Sequence, residues 1–464
     1  MSPRDPDRLL PSDPATRAIA RDLYRAVADA PIVSPHGHVP AASILDDAPF
    51  PDPAQLLVTS DHYVTRLIHA HGVSLDHLGL GPNPAEPRDV WRAFASHWHA
   101  FAGTASGYWL ADTFATLFGI GDDLDAASAD AAFDAVADVL AKPGFRPRAL
   151  FERFAIEVLA TTDDPLDALD AHAALAADAS FSGRVIPTFR PDRFLDATQP
   201  GFAAAAAALL DATGAPASTL EHYLDSLRAR REHFIAHGAT SADHGMLEPF
   251  AIALEPATAE TLFQSALGGT LEPADARALH GHLLVESARM SVEDGLVMTI
   301  HPGVRRGHHA PTAERYGPDT GHDIPVRTEY TENLRPLLEA FGTEPGFHLV
   351  LFTVDETTFS RELAPLAGFY PSVYVGAPWW FLDAPDAMAR FRSAVTETAG
   401  FYRTSGFIDD TRAFLSIPAR HDAARRVDAG FLARMVREGR VSLDAAQRIA
   451  HDLVDAIPRH VFKL

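Results

Sequence analysis

Two histidines stand one residue apart in Pro35-His36-Gly37-His38-Val39, directly after the short apolar run Ala30-Pro31-Ile32-Val33. On a strand, residues i and i+2 project to one side of the sheet. Two imidazoles at the end of a first strand would therefore offer half of a site for a divalent ion such as Zn, Fe, Ni or Mn. The bland alternative is a loop with two solvated histidines. Far along the chain, Asp410-Thr411-Arg412 supplies a carboxylate that can complete such a site or act as a general base. Arg412 can hold that carboxylate ionised or bind a substrate oxygen; a helix-start ion pair is the alternative.

Other groups carry compatible chemistry. In Asp61-His62-Tyr63, Asp61 can cap a helix while Tyr63 packs. Alternatively, His62 and Tyr63 reach over a mouth as proton donor and acceptor. Arg190 ends an apolar run, Val185 to Arg190, and is halted by Pro191. It suits a carboxylate through paired hydrogen bonds, or bridges to Asp192. His301, before Pro302-Gly303, is either a third imidazole ligand or a hydrogen-bond donor to substrate. Trp379-Trp380-Phe381 can wall a sugar pocket or simply fill core.

A frame is needed to bring these groups together. Eight short apolar or β-branched runs are separated by stretches of helical periodicity: Ile32-Val33, Ile156 to Thr162, Val185 to Arg190, Gly238 to His244, Leu296 to His301, His348 to Asp355, Ser372 to Ala377 and Phe407 to Asp410. Alternating strand and helix predicts βαβ units and a parallel sheet, and eight units predict an α/β fold closed as a (β/α)8 TIM-type barrel. The run-ending residues His36, His38, Asp163, Arg190, His244, His301, Asp355, Trp379, Trp380, Asp410 and Arg412 would then share the C-terminal rim, where such barrels keep their active sites. The stretch between Val33 and Ile156 is too long for one βα unit. Helical spacing at Tyr63 to Ile68, Val90 to Phe94 and Ala132 to Val136 predicts a helical insertion after strand one, with a loop between Asn83 and Arg88. The expected organisation is an N-terminal helical segment over 1–29 and a barrel domain over 30–464, the insertion occupying about 45–150.

Composition narrows the classes. Hydrophobic content of 47% and charged content of 22% over 464 residues fit a globular protein with a large core. A net charge of -23 argues against nucleic acid and anionic membranes as partners, while local arginines can still bind an anionic small molecule. The absence of cysteine excludes disulfides, thiolate zinc sites and cysteine nucleophiles. Lysine occurs only as Lys142 and Lys463, so a Schiff base or a carboxylated lysine bridging two metals has no donor, which favours one metal over two. The stretch Met1 to Arg21 has no apolar signal core, and the alanine run Phe202 to Leu210 is too short to span a bilayer. The cytoplasm is the expected location.

Taken jointly and in order, several motifs resemble bacterial uronate isomerases. They are His36-x-His38, Asp61-His62-Tyr63-x-x-Arg66, Thr161-Thr162-Asp163-Asp164-Pro165, Pro187-Thr188-Phe189-Arg190-Pro191-Asp192, Asp243-His244-Gly245, Trp379-Trp380-Phe381, Asp410-x-Arg412-x-Phe414-Leu415-Ser416 and Arg420-His421. The resemblance runs from about Ala30 to the C-terminus. It implies a (β/α)8 barrel of the amidohydrolase superfamily that isomerises sugar acids: D-glucuronate with D-fructuronate, and D-galacturonate with D-tagaturonate. It also implies one zinc-like ion, weakly bound or dispensable, on His36, His38 and Asp410. Proton transfer would fall to Tyr63, Asp410 and Arg412, and substrate binding to Arg190, His62, His301 and Trp380. Enzymes of this size often self-associate, so a homo-oligomer is expected.

The chain departs from the family pattern at Ser34, where an aspartate often stands, and at Arg305-Arg306-Gly307-His308-His309, which replaces an asparagine-rich stretch near the substrate end. Two other readings compete. A hydrolase of the same superfamily normally has a strand-six histidine and often a strand-four lysine, whereas these runs end in Thr353-Val354-Asp355 and Asp243-His244. A silent sugar-acid-binding paralogue would be expected to lose one of Tyr63, Asp410 or Arg412, and all are present.

Overall fold

The computed structural model describes residues 5–121 and 124–464; residues 1–4 of the expected N-terminal segment and 122–123 of the expected insertion lie outside them. The strands are β1 (Ile32–Ser34), β2 (Ile156–Ala160), β3 (Arg184–Ile186), β4 (Ser241–Met246), β5 (Val297–Pro302), β6 (Val304–Arg305), β7 (Ile324–Pro325), β8 (Leu349–Leu351) and β9 (Val373–Val375). One parallel sheet has the order β1-β2-β3 and a second the order β4-β5-β8-β9, while β6 and β7 form a small antiparallel pair. The chain is therefore an α/β fold of parallel sheets. β1, β8 and β9 are buried at every residue, as expected of apolar strands covered on both faces.

Main-chain hydrogen bonds continue beyond the sheet edges. Phe189 N donates to Ser241 O (3.2 Å) and Phe189 O accepts from Asp243 N (2.8 Å), linking the segment after β3 to β4. Ser405 N donates to Val375 O (2.9 Å) at the end of β9, and His38 N donates to Thr411 O (3.0 Å).

Several expected strands are shorter than their apolar runs. β3 stops at Ile186, because Pro187 has no N–H to give a ladder. β8 stops at Leu351, and beyond it the Thr353 hydroxyl accepts from Asp355 N (3.0 Å), a local bond that competes with strand pairing. The eighth run, Phe407 to Asp410, is not a strand, and Asp410 adopts φ 41°, in the left-handed region. His36 and His38 lie past the end of β1, so alternation along a strand is not what aims them.

The chain between β1 and β2 is largely helical. Helices His62–Ala70, Pro87–Ser96, Ala105–Thr113 and Ala129–Leu140 surround a core containing Trp91, Phe94, Phe101 and Phe114. The expected loop from Asn83 ends at Glu86, since Pro87 opens the next helix at a position whose N–H would have no helical acceptor. Helix Pro14–Val27, capped by the Asp13 side chain, packs on helix Ile417–Arg437. From that second helix Arg425 donates to the carbonyls of Ala28 (2.8 Å), Ala30 (2.8 Å) and Pro31 (3.2 Å), fixing the entry to β1. Among the described residues no helix is long and apolar enough to cross a membrane.

The end of β9 also supports a key side chain. Gly376 N donates to Leu351 O (2.8 Å), and a Cβ at Gly376 would lie 2.3 Å from the Phe352 ring. Phe352 in turn stacks on His301 with centroids 3.9 Å apart. Gly376→Ala is expected to destabilise the protein by about 1–3 kcal/mol through overpacking. A lowered urea midpoint would check this, and an unchanged one would mean that the Phe352 ring moves aside without strain.

Candidate active site

A cavity of about 60 Å³ is lined by His38, Asp61, His62, Tyr63, Arg306, Trp379, Trp380, Asp410, Thr411, Arg412, Ala413 and Arg420. Tyr63 and Trp380 also wall an adjoining cavity of about 360 Å³. Its residues come from the chain after β1, from helix His62–Ala70, and from the segments after β5 and β9 and around Asp410.

At its base lies a chain of carboxylates and imidazoles. Asp410 Oδ1 is 2.9 Å from His38 Nε2 and 3.3 Å from His36 Nε2. Burial alone would raise the Asp410 pKa, but the hydrogen bonds from His36 and His38 outweigh it and hold the carboxyl well below its usual range. Burial pushes His38 down toward its neutral form, whereas at His36 it is overcome by the charges of Asp243 and Asp410, which raise that imidazole. His301 stacks on His36 with centroids 4.6 Å apart. Its Nδ1 is 2.5 Å from Asp243 Oδ1, which also accepts from Thr299 Oγ1 (2.5 Å), while Asp243 Oδ2 is 3.3 Å from Arg190 Nη1. Asp243 is fully buried, yet His301 and Arg190 hold it well below the carboxylate range. Burial pushes His301 down, so it donates Nδ1–H to Asp243 and leaves Nε2 buried without a partner.

Among the described residues, His36, His301 and Asp410 are the group whose ligand atoms all lie within 4.8 Å of one another. Of the expected metal set, His36 and Asp410 belong to this group and His301 joins it; His38 stays bonded to Asp410. Three imidazoles and a carboxylate, with one buried unpartnered Nε2, form a donor set that fits a divalent ion such as zinc.

The upper wall is aromatic. Asp61 does cap helix His62–Ala70, its side chain accepting from Tyr63 N (2.8 Å), and this capping turns both His62 and Tyr63 to the cavity. Their rings stack at 4.7 Å, and neither nitrogen of His62 has a protein partner. Burial pushes His62 down, and burial followed by the charge of Asp383 pushes the Tyr63 phenol well above 10. Trp380 has φ 53°, so two non-glycine residues of this site, Trp380 and Asp410, occupy the left-handed region.

Arg412 and Arg190 are both engaged by carboxylates, Arg190 through the bridge to Asp192 that was one of its two expected roles. Arg412 lines the cavity but pairs with Asp319 (3.2 Å), not with Asp410, whose carboxylate is already held by two imidazoles. Arg190 does not line this cavity; it pairs with Asp192 (2.9 Å) and Asp243, and 22% of its side chain stays exposed. Asp163, His244 and Asp355 from the expected rim are framework. His244 Nδ1 meets Thr299 O (3.0 Å), and burial pushes this imidazole down to about 4. Asp355 accepts from Thr357 N (3.0 Å) and Thr328 N (3.3 Å). Asp163 accepts from Thr161 Oγ1 (2.5 Å).

Two further arginines stand on the cavity wall, one from the divergent Arg305-to-His309 stretch and one from the Arg420-His421 pair. Arg306 lies 5.2 Å from the Trp380 ring centroid and pairs with Asp323 (3.0 Å) and Asp319 (3.3 Å). Arg420 pairs with buried Asp383 and stands 3.6 Å over Trp109 and 5.7 Å from the Tyr63 centroid. Asp243 was visible only as a neighbour of His244, the residue that drew attention.

Residues 14–462 match the family model described as glucuronate isomerase. A uronate isomerase of Corynebacterium efficiens is 53% identical over 461 residues, covering 99% of this chain and 98% of that protein. One from Phenylobacterium zucineum is 50% identical over 463 residues, covering 99% and 96%. The crystal structure of glucuronate isomerase from Caulobacter crescentus superposes with a TM-score of 0.96 at 48% identity, covering 98% of this chain and 96% of that one.

The framework role of Asp163 has a pH signature. Burial pushes its carboxyl up to about 6, against the opposing Thr161 hydrogen bond. Its pKa is higher folded than unfolded, so its contribution to stability is complete below the ordinary carboxylate range and is lost as pH rises through about 6. Asp163→Asn is therefore expected to gain up to about 3 kcal/mol relative to the parent between roughly pH 4 and pH 7. Urea midpoints of both proteins across that range measure it; parallel curves would contradict the assignment.

Proposed function

The chain belongs to the glucuronate isomerase family, and on that footing we propose that it interconverts D-glucuronate with D-fructuronate and D-galacturonate with D-tagaturonate in uronate catabolism. It is an isomerase. The observation that carries the mechanism is that Asp410, bonded to His36 and His38, and Tyr63 line one cavity, in surroundings that favour an ionised Asp410 and a protonated Tyr63. Pushing two titratable groups apart assigns base and acid.

Aldose–ketose isomerisation moves a proton from C2 to C1 through an enediol. The Asp410 carboxylate takes the C2 proton, Tyr63 exchanges a proton with the sugar oxygen, and Arg412 stabilises the oxyanion after exchanging its Asp319 partner for substrate. Arg190, which stands outside the cavity lining and is paired with Asp192 and Asp243, takes the sugar carboxylate by exchanging Asp192 for it. The unpartnered His62 nitrogens bind hydroxyls and Trp380 covers the ring face. His36, His38 and Asp410 would hold one zinc-like ion, with His301 as a further donor instead of a direct substrate contact. When bound, that ion supplies Lewis-acid polarisation of substrate oxygen.

This reading extends to the architecture. The bridges at Phe189 and Thr404 and the bond from His38 N to Thr411 O support closure of the two sheets as a (β/α)8 barrel over 30–464, with 1–29 as an outer helical segment and about 45–150 as an insertion. The net charge of -23 supports a small-molecule enzyme without nucleic-acid or membrane partners. Its place is the cytoplasm, and its state is a homo-oligomer.

Proton NMR with each uronate in deuterated water is the decisive test. Ketouronate signals, with deuterium entering C2 of recovered aldose, are expected; unchanged spectra for both sugars with zinc supplied would overturn the proposal. Tyr63→Phe should lower kcat about 10²–10⁴-fold while leaving sugar binding largely intact. Steady-state kinetics would show this, and a near-parent kcat would remove Tyr63 from the proton path.

A further inference from the structure

The helical insertion carries a second group of imidazoles that isomerisation does not use. The ring centroids of His71, His97 and His99 stand 6.3 Å (His71 to His97), 6.0 Å (His71 to His99) and 6.2 Å (His97 to His99) apart, a nearly equilateral triangle. With Zn–N distances of about 2.0–2.1 Å, three imidazoles on one ion keep their centroids roughly 5–5.5 Å apart. As they stand the rings are too wide for one ion, at least one pair of ring nitrogens being more than 4.8 Å apart against about 3.3 Å on a tetrahedral zinc, so the His71 and His99 side chains must rotate inward to bring their nitrogens together. His71 and His99 are exposed, so that rotation displaces no core packing.

Two independent features favour a cation at this point. His71 is the C-cap of helix His62–Ala70, and His97 is the C-cap of helix Pro87–Ser96. Both helices thus bring the negative ends of their dipoles to the triangle. His97 Nδ1 is 2.7 Å from the Ala93 carbonyl, which makes Nδ1 the donor and leaves Nε2 as a ligand atom. A backbone carbonyl on the remote nitrogen is the arrangement that orients metal-bound imidazoles.

We propose that His71, His97 and His99 bind one divalent transition ion that prefers imidazole, zinc first, with the remaining position open to solvent. The ion ties the ends of helices His62–Ala70 and Pro87–Ser96 together. Since the first turn of helix His62–Ala70 carries His62 and Tyr63, the ion steadies the wall of the cavity from its far end. The site shares no residue with His36, His301 and Asp410, and the inference stands whether or not the sugar-acid chemistry is right.

The test titrates zinc alone into the full-length protein and into the His71→Ala/His99→Ala variant, by calorimetry and by equilibrium dialysis. Both substituted residues are exposed, and an unchanged far-ultraviolet circular dichroism spectrum and metal-free Tm serve as the control for folding. The variant is expected to bind one equivalent less than the parent and to lose part of the zinc-induced rise in Tm, because an ion bound only to the folded state stabilises it. Cobalt titration should likewise lose one set of d–d bands. Equal stoichiometry in parent and variant would overturn the proposal. Should Ala at both positions lower the metal-free Tm, His71→Asn/His99→Asn with the same dialysis decides the question on stoichiometry alone.

Discussion

Burying a carboxylate is costly unless it is paired and hydrogen-bonded, and the site is organised around one that is buried completely. Asp243 draws Thr299, His301 and Arg190 to itself from β5 and the segment after β3. His301, once held at Nδ1, presents its ring to His36; His36 and His38 then converge on Asp410. Each group limits the freedom of the next, from a carboxylate sealed in the sheet to one at the cavity wall. Phe352 closes the stack from the other side of His301. The two aspartates thus stay ionised in surroundings that would otherwise protonate them, and without a lysine to help.

The aromatic side of the cavity is held in a different way. Helix His62–Ala70 lies in the chain between β1 and β2, and it is held against the segment between β6 and β7. Arg315 and the Tyr316 hydroxyl, at the end of helix Ala310–Tyr316 in that segment, meet Asp76 at 2.7 and 2.9 Å. Gly321, at φ +94°, passes so close to the helix that a Cβ there would lie 2.5 Å from the Arg66 Cβ. A side chain at that position would part the segment from the helix. The same segment supplies Asp319, which Arg306 and Arg412 share.

Much of this was visible in the order of residue types. Polar groups closing apolar runs marked His36, His38, His301 and Asp410, and amphipathic spacing marked the insertion helices. Strand ends were less visible, because Pro187 and the Thr353 hydroxyl act on single backbone groups that hydrophobic periodicity does not register. The left-handed turns at Trp380 and Asp410 carry no glycine to announce them. In β4 a one-residue register decides which neighbour faces the site: His244 is conspicuous by type, yet Asp243 holds His301. Arg306 and Arg420 stood within recognisable motifs, but with arginine nearly the sole basic residue besides histidine their type alone gave them no role.

Tyr63 and Asp410 reach the cavity from different parts of the chain, one from an appended helix and one from the segment beside β1. On the proposed mechanism, turnover therefore reports how well this helical segment between β1 and β2 is seated and not only whether the protein is folded. Local opening of such a docked element costs less than global unfolding. Warming or mild urea will extinguish catalysis while helical circular dichroism persists, and the interval between the two curves measures how firmly the segment is seated.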